Sequence, residues 1–267
     1  MTFQVLLSTM HQENYSILSE INLKSNAIVV NQCNIDSIEN IRFNDIEVLW
    51  INTTDRGLSK SRNLALSYAS ADICLITDDD IILCDNIENT VIDCFKKNSN
   101  YDVLGFQVYG IEKKFKQYSS KEYNVDFFKS LKMASVELAF KKESLIKNAI
   151  KFDELIGAGT KFLMGEENAL LAQCIRKKLL IHYYPYKIAD LHIGNSTWFK
   201  EYDEKYFIGK GAAFAAMDTN FTNFLIIFWL LRKKRIVCNN ISFFKALSLL
   251  LNGKKEYLLL RKKNGKK

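Results

Sequence analysis

The chain has 267 residues, 48% hydrophobic and 25% charged, the balance of a globular protein with a substantial core, either one large domain or a domain with an appendage. No apolar run reaches the roughly 18 residues of a spanning helix, and the start, "MTFQVLLSTM", lacks the basic region and cleavage pattern of a signal peptide. The net charge of +7 belongs to the tail: residues 232–267 hold twelve Lys and Arg against Glu256 alone, a net of +11, while the rest holds 25 bases and 29 acids, a net of −4. Such asymmetry points to a polyanionic surface as partner. Six scattered cysteines without a CxxC pair read as reduced thiols in the cytoplasm.

In chain order, "FQVLLS" (3–8) reads as a buried strand and "QENYSILSEINL" (12–23) as a helix. "AIVVNQ" (27–32) and "IEVLWI" (46–51) are strands. "SKSRNLALSYA" (59–69) is a helix with Ser59 as N-cap. "DICLIT" (72–77) is a strand, followed by a helix over 86–98. Alternation of this kind predicts an α/β fold with a mostly parallel sheet flanked by helices, in which ligands bind beyond the carboxyl ends of the strands. Further on, 102–110 is a strand, 113–124 a polar, mobile loop, and "ASVELAF" (134–140) a strand by its alternation. A Gly-rich loop runs into a helix over 157–178, and "LLIHYYP" (179–185) is a strand ended by Pro185. The pattern gives way to helices near residue 215, so residues 1–215 are read as a catalytic domain and 216–267 as a helical, basic extension.

Four stretches carry chemistry. Asp78, Asp79 and Asp80 follow an apolar strand directly. Three adjacent carboxylates repel one another unless a divalent cation sits among them, and hard oxygen ligands suit magnesium or manganese. A solvated acidic turn or a helix cap is the plainer reading. Arg56, Lys60 and Arg62 cluster at a helix start, where free N–H groups favour anions, although a solvated basic face would look the same. Glu166 and Glu167 open a later helix, either as complements to its dipole or as a general base. A useful base there needs burial or a like charge to offset the dipole. His192 follows a strand end and is either structural or a metal or phosphate contact.

In this order, and above all in "GLSKSRNLALSYASADICLITDDD", the chain resembles family 2 glycosyltransferases of the GT-A (Rossmann-like) fold, specifically the bacterial branch that builds surface polysaccharides such as capsule or lipopolysaccharide. The likeness spans about residues 3–200. It implies that Ser8 and Thr9 touch the nucleotide base. Asn31 stands where the family usually has an Asp on uracil. Arg62 and Asn63 match an Arg-Asn pair, with Arg62 near the pyrophosphate, and Arg56 joins the nucleotide-sugar contacts. The Asp-x-Asp motif falls on Asp78 and Asp80, or on Thr77 and Asp79. The second register puts the metal on Asp79, with Asp78 facing ribose and Asp80 supporting or metal-linked. Glu167 is then the base and Glu166 an acceptor contact.

The implied activity is a metal-dependent (Mn2+ or Mg2+), inverting transfer of a sugar from a nucleotide-sugar, of the UDP type, to a hydroxyl of a glycan or lipid-linked acceptor. A nucleotidyltransferase is disfavoured because "STMHQENYS" lacks glycine and Lys. A catalytically silent, membrane-bound assembly partner is disfavoured by the retained acids. In the tail, "NFLIIFWLLRKKRI" and "ISFFKALSLLLNGKKEYLLLRKK" set apolar residues beside Lys and Arg. That pattern suits helices lying on an anionic membrane surface, here the inner face of the cell membrane. Packing on the catalytic domain is the alternative, and no reader motif for nucleic acid is present.

Overall fold

The computed structural model describes residues 1–194, 202–217, 220–237 and 241–264. Two compact units emerge: Met1–Arg56, Lys60–Lys151 and Cys174–Ser196 form one, and Gly57–Ser59, Phe152–Gln173 and Thr197–Lys267 the other. Residues 152–173 and the helix Glu204–Ala216, which runs through the expected boundary near 215, group with the tail in this division.

The first unit is a sheet of ten strands among the described residues. β1 (Phe3–Met10), β2 (Ala27–Gln32), β4 (Ile46–Thr53) and β5 (Ile73–Asp78) run parallel, in the order β4-β2-β1-β5. Their apolar runs are buried almost throughout, as strands covered on both faces must be. β3 (Ser37–Phe43) adds an antiparallel edge to β4. It was not foreseen, because its side chains are largely exposed and polar.

Beyond β5 the sheet becomes mixed. β9 (Leu138–Lys141) lies antiparallel between β5 and β7 (Val103–Gly110), and β10 (Ile181–Leu191) pairs parallel with β7. Short β6 (Ile81–Leu83) and β8 (Tyr123–Asn124) each pair antiparallel with β10. Helix α3 (Ile87–Lys97) buries Ile87, Val91, Ile92, Cys94 and Phe95 against the core, a spacing that places them on one face.

Four local expectations change. The helix over 12–23 shrinks to α1 (Ile17–Glu20). Asn14 Oδ1 takes the Ser16 N–H before it, and Asn22 turns left-handed after it, at φ 54°. Helix α2 (Leu58–Tyr68) begins one residue early, so Ser59 lies inside it and its hydroxyl donates to the Ile156 carbonyl rather than capping. Ser135–Glu137 is a 3-10 turn, since the Glu137 carboxylate takes the Ala134 N–H and tightens the chain before β9. Pro185 does not end β10, whose pairing with β7 is irregular between Tyr183 and Lys187, where a missing N–H is tolerated.

In the second unit, α6 (Glu166–Arg176) starts from the Gly-rich loop; α7 (Glu204–Ala216), α8 (Thr222–Val237) and α9 (Phe243–Asn264) follow. Ile156, Phe162, Ala169, Ala212, Ala215, Ala216 and Tyr257 share its core. Helices α7 and α9 approach closely through glycine: a Cβ on Gly211 would strike the Leu250 carbonyl, and one on Gly253 the Ile208 carbonyl. Short α4 (Phe127–Ser130) and α5 (Lys142–Lys147) complete the first unit. Among the described residues no helix is long and apolar enough to cross a membrane. The five described cysteines are all free thiols; Cys238 lies outside the described residues.

Candidate active site

The parallel register fixes the centre of the first unit's site. Ser8 on β1 pairs with Asp78 on β5, so the carboxyl ends of the two strands present their polar residues side by side. Arg62, on α2, reaches Asp78 through Nη2 at 2.9 and 3.0 Å and also donates to Ser135 Oγ at 2.8 Å. Its side chain is 1% exposed and that of Asp78 14%. A guanidinium so enclosed fixes Asp78 and is closed to a ligand outside. Ser61, next to it on α2, donates its hydroxyl to Ser8 Oγ at 2.8 Å. Asn63 follows on the same helix, half-buried.

Asp79 points elsewhere. Its Oδ2 accepts the Thr9 hydroxyl at 2.7 Å, and the residue keeps an exposed edge. Crowding by protein raises its pKa, the Thr9 bond opposes that, and the charge of Asp78 adds to the rise. Asp80 is raised further, to about 7, by burial and by both neighbouring carboxylates. Its Oδ1 is buried with no hydrogen-bond partner. An orphaned acid oxygen between like charges calls for a proton or a cation. His192 joins through its backbone, whose N–H donates to the Asp80 carbonyl at 2.8 Å. Its ring instead meets Glu112, Nδ1 to Oε1 at 2.9 Å, and that contact, with the Ile193 N–H, holds Glu112 down to about 2.

Among the described residues no three His, Cys, Asp or Glu side chains converge as a ready metal cage. Magnesium and manganese do not require one where phosphates complete the coordination, since one or two carboxylates suffice. Asp79, with its open edge, and Asp80, with its unpartnered oxygen, fit that donor set.

Two other expected contacts are spent locally. Asn31 is buried; its amide accepts the Gln12 N–H at 3.0 Å and donates to the Gln12 carbonyl at 2.9 Å and to Asn52 Oδ1 at 2.8 Å. Asn52 Oδ1 also takes the Trp50 indole N–H at 3.0 Å. This amide ladder clamps the turn after β1. Arg56 donates to the Thr53 and Thr54 carbonyls and to Asn34 Oδ1, stapling the turn after β4.

A cavity of about 680 Å³ opens where β7 and β10 meet the 111–122 loop, lined by Gln107, Tyr109, Lys116, Tyr118, Ser119 and Pro185 among others. The loop is not loose there. Tyr118 donates to buried Glu137 at 2.6 Å, Lys116 Nζ lies 2.5 Å from the same carboxylate, and Tyr183 donates to the Ser119 carbonyl. None of Gln12, Asn52, Ser135 or Glu137 stood out in the sequence: Gln12 and Asn52 sit in or at the edge of polar stretches, and Ser135 and Glu137 are isolated within "ASVELAF".

The second unit holds the acid pair. Glu166 is buried and Glu167 half-buried at the start of α6. Gly157, at φ 104°, leaves room for both: a Cβ there would lie 3.3 Å from the Glu166 carboxyl and 3.1 Å from Ser59 Oγ. Lys210 on α7 neighbours Glu167; desolvation holds its ammonium below the usual lysine range while Glu167 pulls the other way. A lysine, rather than a like charge, therefore faces this acid.

The fold these elements define is that of GT-A glycosyltransferases. It is similar to crystal structures of S. aureus TarS: residues 1-349 alone (TM-score 0.60, 14% identity, 97% of this chain and 92% of that one), residues 1-349 with UDP-GlcNAc (0.61, 13%, 97% and 92%) and residues 1-349 with UDP (0.56, 16%, 82% and 66%). Against a further S. aureus TarS crystal structure (TM-score 0.57, 14% identity, 96% of this chain) it spans 55% of that chain's length. No protein-family model and no curated protein matches the chain.

Proposed function

We propose that the chain is a metal-dependent, inverting glycosyltransferase that moves a sugar from a UDP-type nucleotide-sugar to a hydroxyl of a glycan or lipid-linked acceptor in bacterial surface-polysaccharide synthesis. The observation that carries this reading is the pairing of β1 and β5, which sets Thr9 against Asp79 and Ser8 beside Asp78 at the carboxyl end of a GT-A sheet. The likeness to TarS structures holding UDP and UDP-GlcNAc supports the donor class.

In this mechanism Ser8 and Thr9 border the nucleoside, and the Asn31 ladder shapes the turn beside it. Arg62 is a positioning residue that keeps Asp78 aimed. When bound, manganese or magnesium held by Asp79 and Asp80 supplies neutralising charge to the diphosphate. His192 steadies Asp80 from behind. Glu167 accepts the proton of the acceptor hydroxyl, whose oxygen bonds the anomeric carbon in line as the carbon–phosphate oxygen bond breaks and UDP leaves with the electron pair. Glu166 holds the acceptor. The tyrosines and amides of the cavity beneath the 111–122 loop suit a hydroxyl-rich acceptor.

Calorimetric titration of UDP with manganese present tests the donor half: micromolar binding that vanishes in Asp79→Ala is expected, and no binding of any uridine or other nucleoside diphosphate by the intact chain defeats the reading. For the base, Glu167→Gln should retain that binding while single-turnover transfer falls by about 10²–10⁴. Unchanged transfer removes Glu167 from the mechanism.

A further inference from the structure

We propose that one face of α8 is a docking surface for anionic lipid, with a particular set of side chains entering the interface. Helix α8 has two unlike sides. Leu225, Ile226 and Leu230 are buried, and Trp229 packs against Tyr206, Phe207 and Phe214 of α7. On the opposite side Phe224 is 55% exposed, Ile227 46% and Leu231 56%, with Phe221, one turn earlier, at 70%. Residues three, four and seven apart share a helix face, so these four make a single apolar stripe. A contiguous stripe of aromatic and branched side chains in water marks an interaction surface.

The charge around the stripe identifies its partner. Arg232, Lys234 and Arg235 are exposed where the stripe ends. α9 sets exposed Phe244, Leu251, Leu258 and Leu259 among exposed Lys255 and Lys262. The only acid in the last 36 residues, Glu256, is taken by Lys161 at 2.9 Å. Lys245 of α9 pairs with Glu204 at 2.6 Å, while Arg232, Lys234, Arg235, Lys255 and Lys262 remain exposed. A second copy of this chain is a poor occupant, because two tails of net +11 would be pressed together. An acidic, fluid, apolar-cored surface satisfies both features, and α8, 16 residues long, lies along it rather than across. Within the unit, α9 meets α7 through Gly211 and Gly253, and Lys254 donates to Asn223 Oδ1 at 2.8 Å at the start of α8.

Co-sedimentation of the full chain with vesicles tests this. The protein should pellet with phosphatidylglycerol–phosphatidylcholine vesicles, stay in solution with pure phosphatidylcholine, and be released by high salt. The triple variant Phe224→Ser, Ile227→Ser, Leu231→Ser should bind about tenfold more weakly or worse, while its far-UV circular dichroism stays that of the folded chain because about half of each side chain already faces water. Phe224→Trp should give a blue-shifted emission on vesicle binding that brominated lipids quench. The proposal is overturned if the intact chain ignores the acidic vesicles, if the triple variant pellets like the wild type, or if light scattering shows a dimer that the triple variant dissolves, which would make the stripe a protein interface.

Discussion

The sheet unit and the helical unit place their exposed chemistry by opposite means. At the carboxyl ends of β1 and β5, backbone register decides which side chains meet: Arg62 donates to Asp78 and the Thr9 hydroxyl to Asp79. In the helical unit no register exists, and glycine decides, by letting α7 and α9 touch and thereby fixing which face of each helix is left outside. The sheet can hold like charges together because its hydrogen bonds do not depend on them. The helices can carry an apolar stripe because their own core is closed elsewhere.

The comparison breaks most readily at Arg62. Arg62→Ala strands a nearly buried carboxylate, and urea unfolding should show a loss of about 3–5 kcal/mol; a loss within error would mean that register alone, without the cation, holds the strand ends. Next, Gly253→Ala should cost about 1–3 kcal/mol, because the added methyl meets backbone rather than a mobile side-chain tip. Its signature is an earlier melting of the helical unit; an unchanged melting curve would show that α9 can slide. Smaller again, Thr9→Val removes the donor to an acid that keeps an exposed edge, so about 0.5–1 kcal/mol is expected in stability, with weaker UDP binding by calorimetry.

The last effect is one of pH. Asp80 is raised to about 7 in the folded chain, so between about pH 4 and 7 the folded form holds a proton that the unfolded form has lost. Its contribution to stability therefore falls as pH rises through that window and is fully unfavourable above it. Asp80→Asn should melt like the wild type near pH 4 and higher at pH 8 in EDTA. An equal gap at both pH values would place the titration elsewhere.

Much of the first unit was legible because continuous apolar runs such as "AIVVNQ" have no stable alternative to a covered strand; the bounds of β2 match that reading residue for residue. The Asp cluster was legible for the same reason: it interrupts such a run. What was not legible depended on distant partners. Nothing in the sequence tells that Arg62 turns inward to Asp78 and Ser135, or that Arg56 folds back on carbonyls, since both look like free cations at a helix start. Asn31 falls at a strand end in any reading, but its use as one rung of an amide ladder requires Gln12 and Asn52 to come alongside. The edge strand β3 was hidden by its polar face, and the early turn of "ASVELAF" by a glutamate whose carboxylate accepts the Ala134 N–H three residues before it.

The turn Ser135–Glu137 has a practical meaning for anyone wishing to re-engineer this molecule. One of its ends seats Arg62 and the other anchors Tyr118 and Lys116, so three residues act as a fulcrum shared by the strand-end carboxylate and the 111–122 loop. A transplanted loop would have to bring its own tyrosine and lysine at those two posts, or the lever arm on the far side would lose its seat as well.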